Sequence, residues 1–186
     1  MRTFIAIELS DDIRDALAQV QSHLSYASAD VKWVAPQNVH LTLKFLGEIT
    51  EEKAAEVAAA LDAVSAETKP FELTFQDIGA FPKIELPKVI WVGLDKGAQE
   101  SIALAGKIEA ALTKIGFQQE ARPFAPHLTV GRVRSGKNRA TFREKLLNCK
   151  LTTGNCQLIR SFILFKSTLT PTGPIYSKLH EAKLAE

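Results

Sequence analysis

Apolar positions along this chain fall into two rhythms, alternation in short runs and recurrence every third or fourth residue in longer ones. The runs FIAIELS, from Phe4 to Ser10, and VIWVGLD, from Val89 to Asp95, are rich in β-branched residues and end where a polar residue can cap a helix. Both predict strands that lead into helices. After the first, Ile13, Leu17, Val20 and Leu24 recur at helical spacing; after the second, Ile102, Ala105, Ile108, Leu112 and Ile115 do. Two related stretches come next, NVHLTLKF from Asn38 to Phe45 and APHLTVGR from Ala125 to Arg132. A helix is then predicted from about Glu51, with Val57, Leu61 and Val64 on one face, and another from about Asn138, with Phe142, Leu146 and Cys149. FELTFQDIGAF (Phe71 to Phe81) closes the first half as a strand, and CQLIRSFILFKS (Cys156 to Ser167) with IYSKLHEAKL closes the second.

The pattern is a repeat. Ile5 and Ile90, in the two leading strands, stand 85 residues apart, and the histidines of the two His-Leu-Thr stretches stand 87 apart. Each half reads strand, helix, strand, helix, strand, with room for more strands at the ends. The expected architecture is α+β: one bilobal domain over 1–186, built as two pseudo-twofold-related lobes of about 1–85 and 86–186. Each lobe is an antiparallel sheet with outer helices, the two flank a central cleft, and the C-terminal strand is able to cross over. GAFPKIELPKV, with Gly79, Pro82 and Pro87, is the expected crossing between lobes. A pseudo-twofold would bring equivalent strands to opposite walls of the cleft, and both histidines to one space.

Composition narrows the partners. With 46% hydrophobic and 24% charged residues over 186 positions, the chain can bury a sizeable core. The apolar start of MRTFIAIELS is broken at Glu8, and no apolar run reaches membrane-spanning length, so a cytoplasmic protein without a membrane partner is expected. No obligate protein partner is evident. The net charge of +2 announces no nucleic-acid binder, so an anionic partner would have to meet a local cluster of Lys and Arg. GRVRSGKNR supplies Arg132, Arg134, Lys137 and Arg139, with Lys44, Arg122 and Lys166 as candidates for the same rim. This run reads equally as a solvated loop and as a short track for an anionic backbone. Cys149 and Cys156 match no common zinc spacing and are expected as free thiols. Trp33 and Trp91 sit in apolar strand patterns and are expected in the core, and Phe124 should help fix the loop before His127.

In a strand His40 and Thr42 share one face while Leu41 and Leu43 share the other; His127 and Thr129 repeat this against Leu128 and Val130. A single such pair is ordinarily a buried histidine with a satisfied partner. Two copies in register point to chemistry instead. One imidazole held neutral serves as general base and the other, protonated, as general acid, while the threonine hydroxyls donate to phosphoryl oxygens. A cyclic phosphodiester suits that arrangement, since its hydrolysis needs a proton removed on one side and delivered on the other. The sequence has no His-Glu-x-x-His and no carboxylate cluster beside the motifs, so no metal or cofactor is expected; His23 and His180 stand alone and read as structural or surface residues.

WVAPQNVHLTLKFLGE (Trp33 to Glu48) and RPFAPHLTVGR (Arg122 to Arg132), with FIAIEL and AFPKIELPKVIWVGL, resemble the two-histidine (2H) phosphoesterase superfamily, and within it the RNA 2′,3′-cyclic phosphodiesterase branch, also called the 2′-5′ RNA ligase family. The resemblance covers nearly the whole chain. It implies a metal-independent enzyme that opens RNA 2′,3′-cyclic phosphate ends, tRNA-like fragments among them, to 2′-phosphates, with weak reversed ligation as a further implication. By the same resemblance His40 is the general acid, His127 the general base, Thr42 and Thr129 bind the phosphoryl oxygens, Arg132 neutralises the phosphate and Phe45 stacks on a base. Strict alternation puts Arg132 and Phe45 on the face away from the histidines. A bulge at Gly131 would re-aim Arg132, whereas no glycine precedes Phe45. A cyclic mononucleotide or another small cyclic phosphate as substrate, and a non-catalytic RNA-binding module of the same fold, are the competing readings.

Overall fold

In the computed structural model, which describes residues 1–150, 156–171 and 173–185, the apolar runs pair into two antiparallel sheets. The chain runs β1 (Arg2–Glu8), α1 (Asp11–Ser25), β2 (Val31–Trp33), a short 3-10 turn (Pro36–Asn38), β3 (His40–Glu48), α2 (Glu51–Ala66) and β4 (Phe71–Phe81). It continues through β5 (Val89–Leu94), α3 (Ala98–Lys114), β6 (His127–Val133), α4 (Arg139–Asn148), β7 (Cys156–Ile159), β8 (Ser161–Thr170) and β9 (Gly173–Lys183). One sheet has the order β3-β1-β8-β9, the other β2-β6-β5-β4-β7.

The helices form where the spacing places them. Asp11 and Asp12 open α1 at the positive end of its dipole, and α2 starts where Thr50 Oγ1 accepts the N–H of Lys53. The buried stripe of α1 is Ile13, Leu17, Val20 and Leu24, and that of α2 includes Val57, Leu61 and Val64. In α3 the stripe runs instead through Ser101, Leu104, Ala105, Ile108 and Leu112, while Ile102 is exposed, one position off the face that packs. Helices α2 and α3 pack on each other and on β9 and β3; α1 and α4 pack on each other and on β6 and β4. The first helix of each repeat therefore covers the sheet that its own leading strand does not join.

Each sheet draws strands from both halves of the chain, so the lobes do not divide at the midpoint of the sequence. GAFPKIELPKV is no crossing. It turns β4 back onto β5, pairing Phe81 with Val89 inside one sheet. Both strands bury the same face, through Ala80, Ile90 and Val92, and the segment between them is short, so neighbouring pairing follows. A late crossing lies at Arg160, the single residue between β7 of one sheet and β8 of the other. One apolar cluster containing Ile5, Leu41, Val92, Leu128 and Leu164 joins the core faces of both sheets. A smaller one, Phe4, Ala6, Ile163 and Phe165, lies on the opposite face of the four-stranded sheet. Among the described residues no helix is long and apolar enough to cross a membrane.

Candidate active site

The strands that carry the two histidines, β3 and β6, touch along the junction of the sheets. Each contains a bulge at the same place in its motif. Against β1, His40 pairs with Glu8 and Thr42 with Ala6, but Ile5 pairs with Lys44, leaving Leu43 extra. Against β5, His127 pairs with Gly93 and Thr129 with Trp91, but Ile90 pairs with Gly131, leaving Val130 extra. Two consecutive residues therefore turn inward in each strand, Leu43 with Lys44 and Val130 with Gly131, and all four are buried. Phe45 and Arg132 then rejoin the face of the histidines and threonines.

The bulge expected at Gly131 is present, and the parity objection to Phe45 falls with it. What glycine does in one strand, lysine does in the other. At Gly131 a Cβ would come within 2.8 Å of the Trp33 ring and 2.9 Å of Val31, so the backbone approach excludes a side chain. At the equivalent place Lys44 sends its stem inward, and its Nζ donates to Glu109 Oε2 at 2.7 Å and to the Gln118 carbonyl at 3.2 Å. Lys44 therefore does not line a basic rim, and Lys166, which follows cleft-facing Phe165 in β8, takes the opposite face as well. Phe45 is 62% exposed.

Both rings are locked from behind. His40 Nδ1 lies 2.9 Å from the Asn38 carbonyl and His127 Nδ1 lies 2.7 Å from that of Ala125. A carbonyl only accepts, so Nδ1 carries the proton and Nε2 is left as the reactive nitrogen in each neutral ring. Their surroundings differ. His40 stacks on Phe4 at 4.7 Å between centroids, meets the edge of Tyr176 at 5.3 Å and lies 6.4 Å from Phe165. Burial among these rings lowers its pKa from 6.5 to about 4, against a smaller upward pull from the Asn38 carbonyl. His127 meets the edge of Phe81 at 5.1 Å, and Phe81 in turn touches Trp91 at 5.3 Å.

Arg132 reaches across this junction electrostatically. Burial raises the pKa of the Tyr176 phenol, and the charges of Arg2 and Arg132 act to lower it, so Arg132 is felt by a side chain in contact with His40. Lys32 pairs with Arg132 in the ladder and shares its face. Arg134, Lys137 and Arg139 are exposed along the turn into α4, and Arg122 lies exposed in the loop before β6. Trp33 packs on the core, as expected, and Phe124 packs on it too.

Trp91 does not. Its neighbours Ile90 and Val92 are the buried ones, and its indole lies across Gly79, where a Cβ would stand 2.3 Å from the ring. The sequence reading missed Trp91, Phe4, Phe81, Phe165, Tyr176 and Lys32 as neighbours of the motifs. Only Trp91 carried a usable signal, the alternation of Ile90 and Val92 around it. His180 is held at the surface by Asp62, 2.7 Å away, and His23 lies in the last turn of α1. Among the described residues no group of three or more potential metal ligands occurs.

Two imidazoles with free Nε2 atoms, two threonines and one guanidinium are thus carried on adjoining strands, an inventory for proton transfer at an anionic centre. A family model described as LigT like Phosphoesterase matches the chain twice, over residues 7–91 and 92–176. An RNA 2′,3′-cyclic phosphodiesterase of Archaeoglobus fulgidus is 39% identical over 96% of this chain and 98% of its own. Another of the same name from Aquifex aeolicus is 33% identical, over 97% and 96%. Among solved structures, E. coli LigT complexed with 3′-AMP superposes with a TM-score of 0.81 at 25% identity, covering 100% of this chain and 98% of that one.

Proposed function

The chain belongs to the LigT-like phosphoesterases, and from that premise we propose that it hydrolyses the 2′,3′-cyclic phosphate end of RNA to a 2′-phosphomonoester with His40 and His127 as its acid and base. The observation that carries this reading is the matched pair of bulged strands. Each presents a histidine with Nδ1 held by the carbonyl two residues back and Nε2 free.

In the proposed reaction His127 Nε2 takes a proton from water, the water oxygen attacks phosphorus, the bond from phosphorus to O3′ breaks, and His40 delivers its Nε2 proton to O3′. Thr42 and Thr129 donate to the non-bridging oxygens and Arg132 balances their charge. Lys32, beside Arg132 on the same face, adds a second cation. Without substrate His40 is neutral, because its aromatic surroundings disfavour the imidazolium. The phosphodiester anion is the charge that reverses this, so the acid is loaded in the complex rather than in the free enzyme. A 5′-hydroxyl in place of the water gives a 2′-5′ linkage from the same transition state, and weak ligation accompanies the hydrolysis.

The test is to incubate the protein, with chelator present, with a short RNA ending in a 2′,3′-cyclic phosphate and to identify the terminal phosphate, beside His40→Ala and His127→Ala. The expected result is a 2′-phosphate from the wild type and near-complete loss in both variants. Turnover surviving both substitutions, or a 3′-phosphate product, overturns the reading.

A further inference from the structure

A cavity of about 510 Å³ opens beside His40, within the ~300–1,000 Å³ typical of small-molecule sites. Its lining is divided by chemistry. Tyr176 and Ile175, at the start of β9, give it an aromatic and an aliphatic surface, and Ile175 is 57% exposed. Glu8, Arg14 and Lys178 give it charge. Glu8 Oε2 accepts from Lys178 Nζ at 2.5 Å and Glu8 Oε1 from Arg14 at 3.4 Å, so within the lining itself two cations face one carboxylate. Asp11, outside the cavity, takes a second bond from Arg14 but is itself 92% exposed and well screened.

The cavity shares His40 with the proposed reaction centre, and Glu8 is the ladder partner of His40, so strand pairing fixes the spacing between the two. An RNA that ends in a cyclic phosphate has one neighbouring nucleotide, on its 5′ side, joined through one anionic phosphodiester. We infer that this cavity receives that penultimate nucleotide, with the linking phosphate on Lys178 and Arg14 and the base against Tyr176 and Ile175. The inference rests on the proposed reaction and extends it: the enzyme acts on RNA ends in preference to free cyclic mononucleotides. A flat base surface against Tyr176 is sequence-tolerant, because every base has a π face.

The test compares kcat/KM for adenosine 2′,3′-cyclic phosphate with that for the dinucleotide ApA bearing the same cyclic end. Wild type is expected to prefer the dinucleotide by about tenfold, as one charge-assisted phosphate contact and one stacked base suggest. In Lys178→Ala that ratio should fall by about threefold or more, and in Lys178→Glu further. Ile175→Trp, which fills the cavity without changing charge, should lower it too, and circular dichroism would establish that each variant is folded. A wild-type ratio near one, or a ratio that falls in Arg134→Ala but in neither Lys178 variant, overturns the cavity assignment while leaving the cyclic phosphodiesterase reading intact. No turnover of either compound overturns that reading itself.

Discussion

His40 is packed between Phe4, Phe165 and Tyr176 on the four-stranded sheet, while His127, on the five-stranded sheet, meets Phe81 alone among the described aromatic rings. The two are alike in three features of their own motifs: the Leu-Thr that follows, the carbonyl behind Nδ1, the bulge three residues on. They differ in what the neighbouring strands supply. β1, β8 and β9 bring rings to His40, and β4 and β5 bring glycines and one phenyl edge to His127. A duplicated motif thus gives two copies of one imidazole arrangement, and the aromatic wall beside His40 disfavours its charged form.

The harshest way to break this comparison is to remove each histidine in turn. His40→Ala and His127→Ala should each lower kcat by about 10²- to 10⁴-fold, the range for loss of a positioned acid or base. The pH profile of kcat sharpens it further. Residual activity of His127→Ala should lose the acid limb and that of His40→Ala the alkaline limb; the opposite pattern would exchange their roles.

A second difference is readable in stability. The folded pKa of His40, about 4, lies below the ordinary 6.5, so between those values the unfolded chain binds the extra proton. This contribution therefore destabilises the fold progressively as pH falls from about 6.5 to about 4, and reaches at most about 3 kcal/mol. Urea unfolding at pH 7 and pH 4 should show the wild type losing more stability than His40→Phe by roughly that amount. Equal losses in the two proteins would mean that His40 is not held neutral. Adding 2′-AMP should raise the His40 pKa seen by NMR, since the phosphate supplies the missing counter-charge.

The third contrast lies between the residues that follow the bulges. Arg132→Ala should reduce kcat/KM by about 10- to 100-fold, as expected when a charge-assisted contact to the reacting phosphate is lost. Arg132→Lys should recover part of it, because a point charge replaces some of the electrostatics but not the two-pronged geometry.

How much of this was legible in the text of the chain depends on range. The repeat, the four helices, the strand carrying each histidine and the inward leucines follow from local periodicity, and each is where the spacing puts it. Strand partners are another matter. Nothing local in GAFPKIELPKV distinguishes a turn within a sheet from a crossing between sheets, and nothing at Arg160 marks the passage from β7 to β8. The aromatic wall around His40 comes from β1, β8 and β9, and from residues as far along the chain as Tyr176, so it exists only once those strands pair. Ile102 was misplaced because the stripe of α3 is set by what it packs on, and Leu104 fits that surface.

The bulges are the intermediate case, and they lead to the gentlest test. Alternation from His40 hides Phe45 on the wrong face, yet superposing HLTLKF on HLTVGR pairs Phe45 with Arg132 and Lys44 with Gly131, so one bulge inferred from glycine implies the other. A lysine can occupy a bulge when its charge has somewhere to go, and Glu109 on α3 provides that place. Phe45 is thereby carried to the face of the histidines with 62% of its surface open, unlike Phe4, which is buried behind His40. An exposed ring beside the proposed phosphate site suits a terminal base. Phe45→Ala should therefore raise KM for the dinucleotide several-fold with little change in kcat, consistent with the ~1–3 kcal/mol of one stacked base. Phe45→Tyr or Phe45→Trp should restore it, since stacking needs a flat ring and not a particular one. Loss of kcat in Phe45→Ala, unrelieved by Phe45→Trp, would instead assign the side chain to holding the bulge, and the equivalence with Arg132 would then be one of backbone alone.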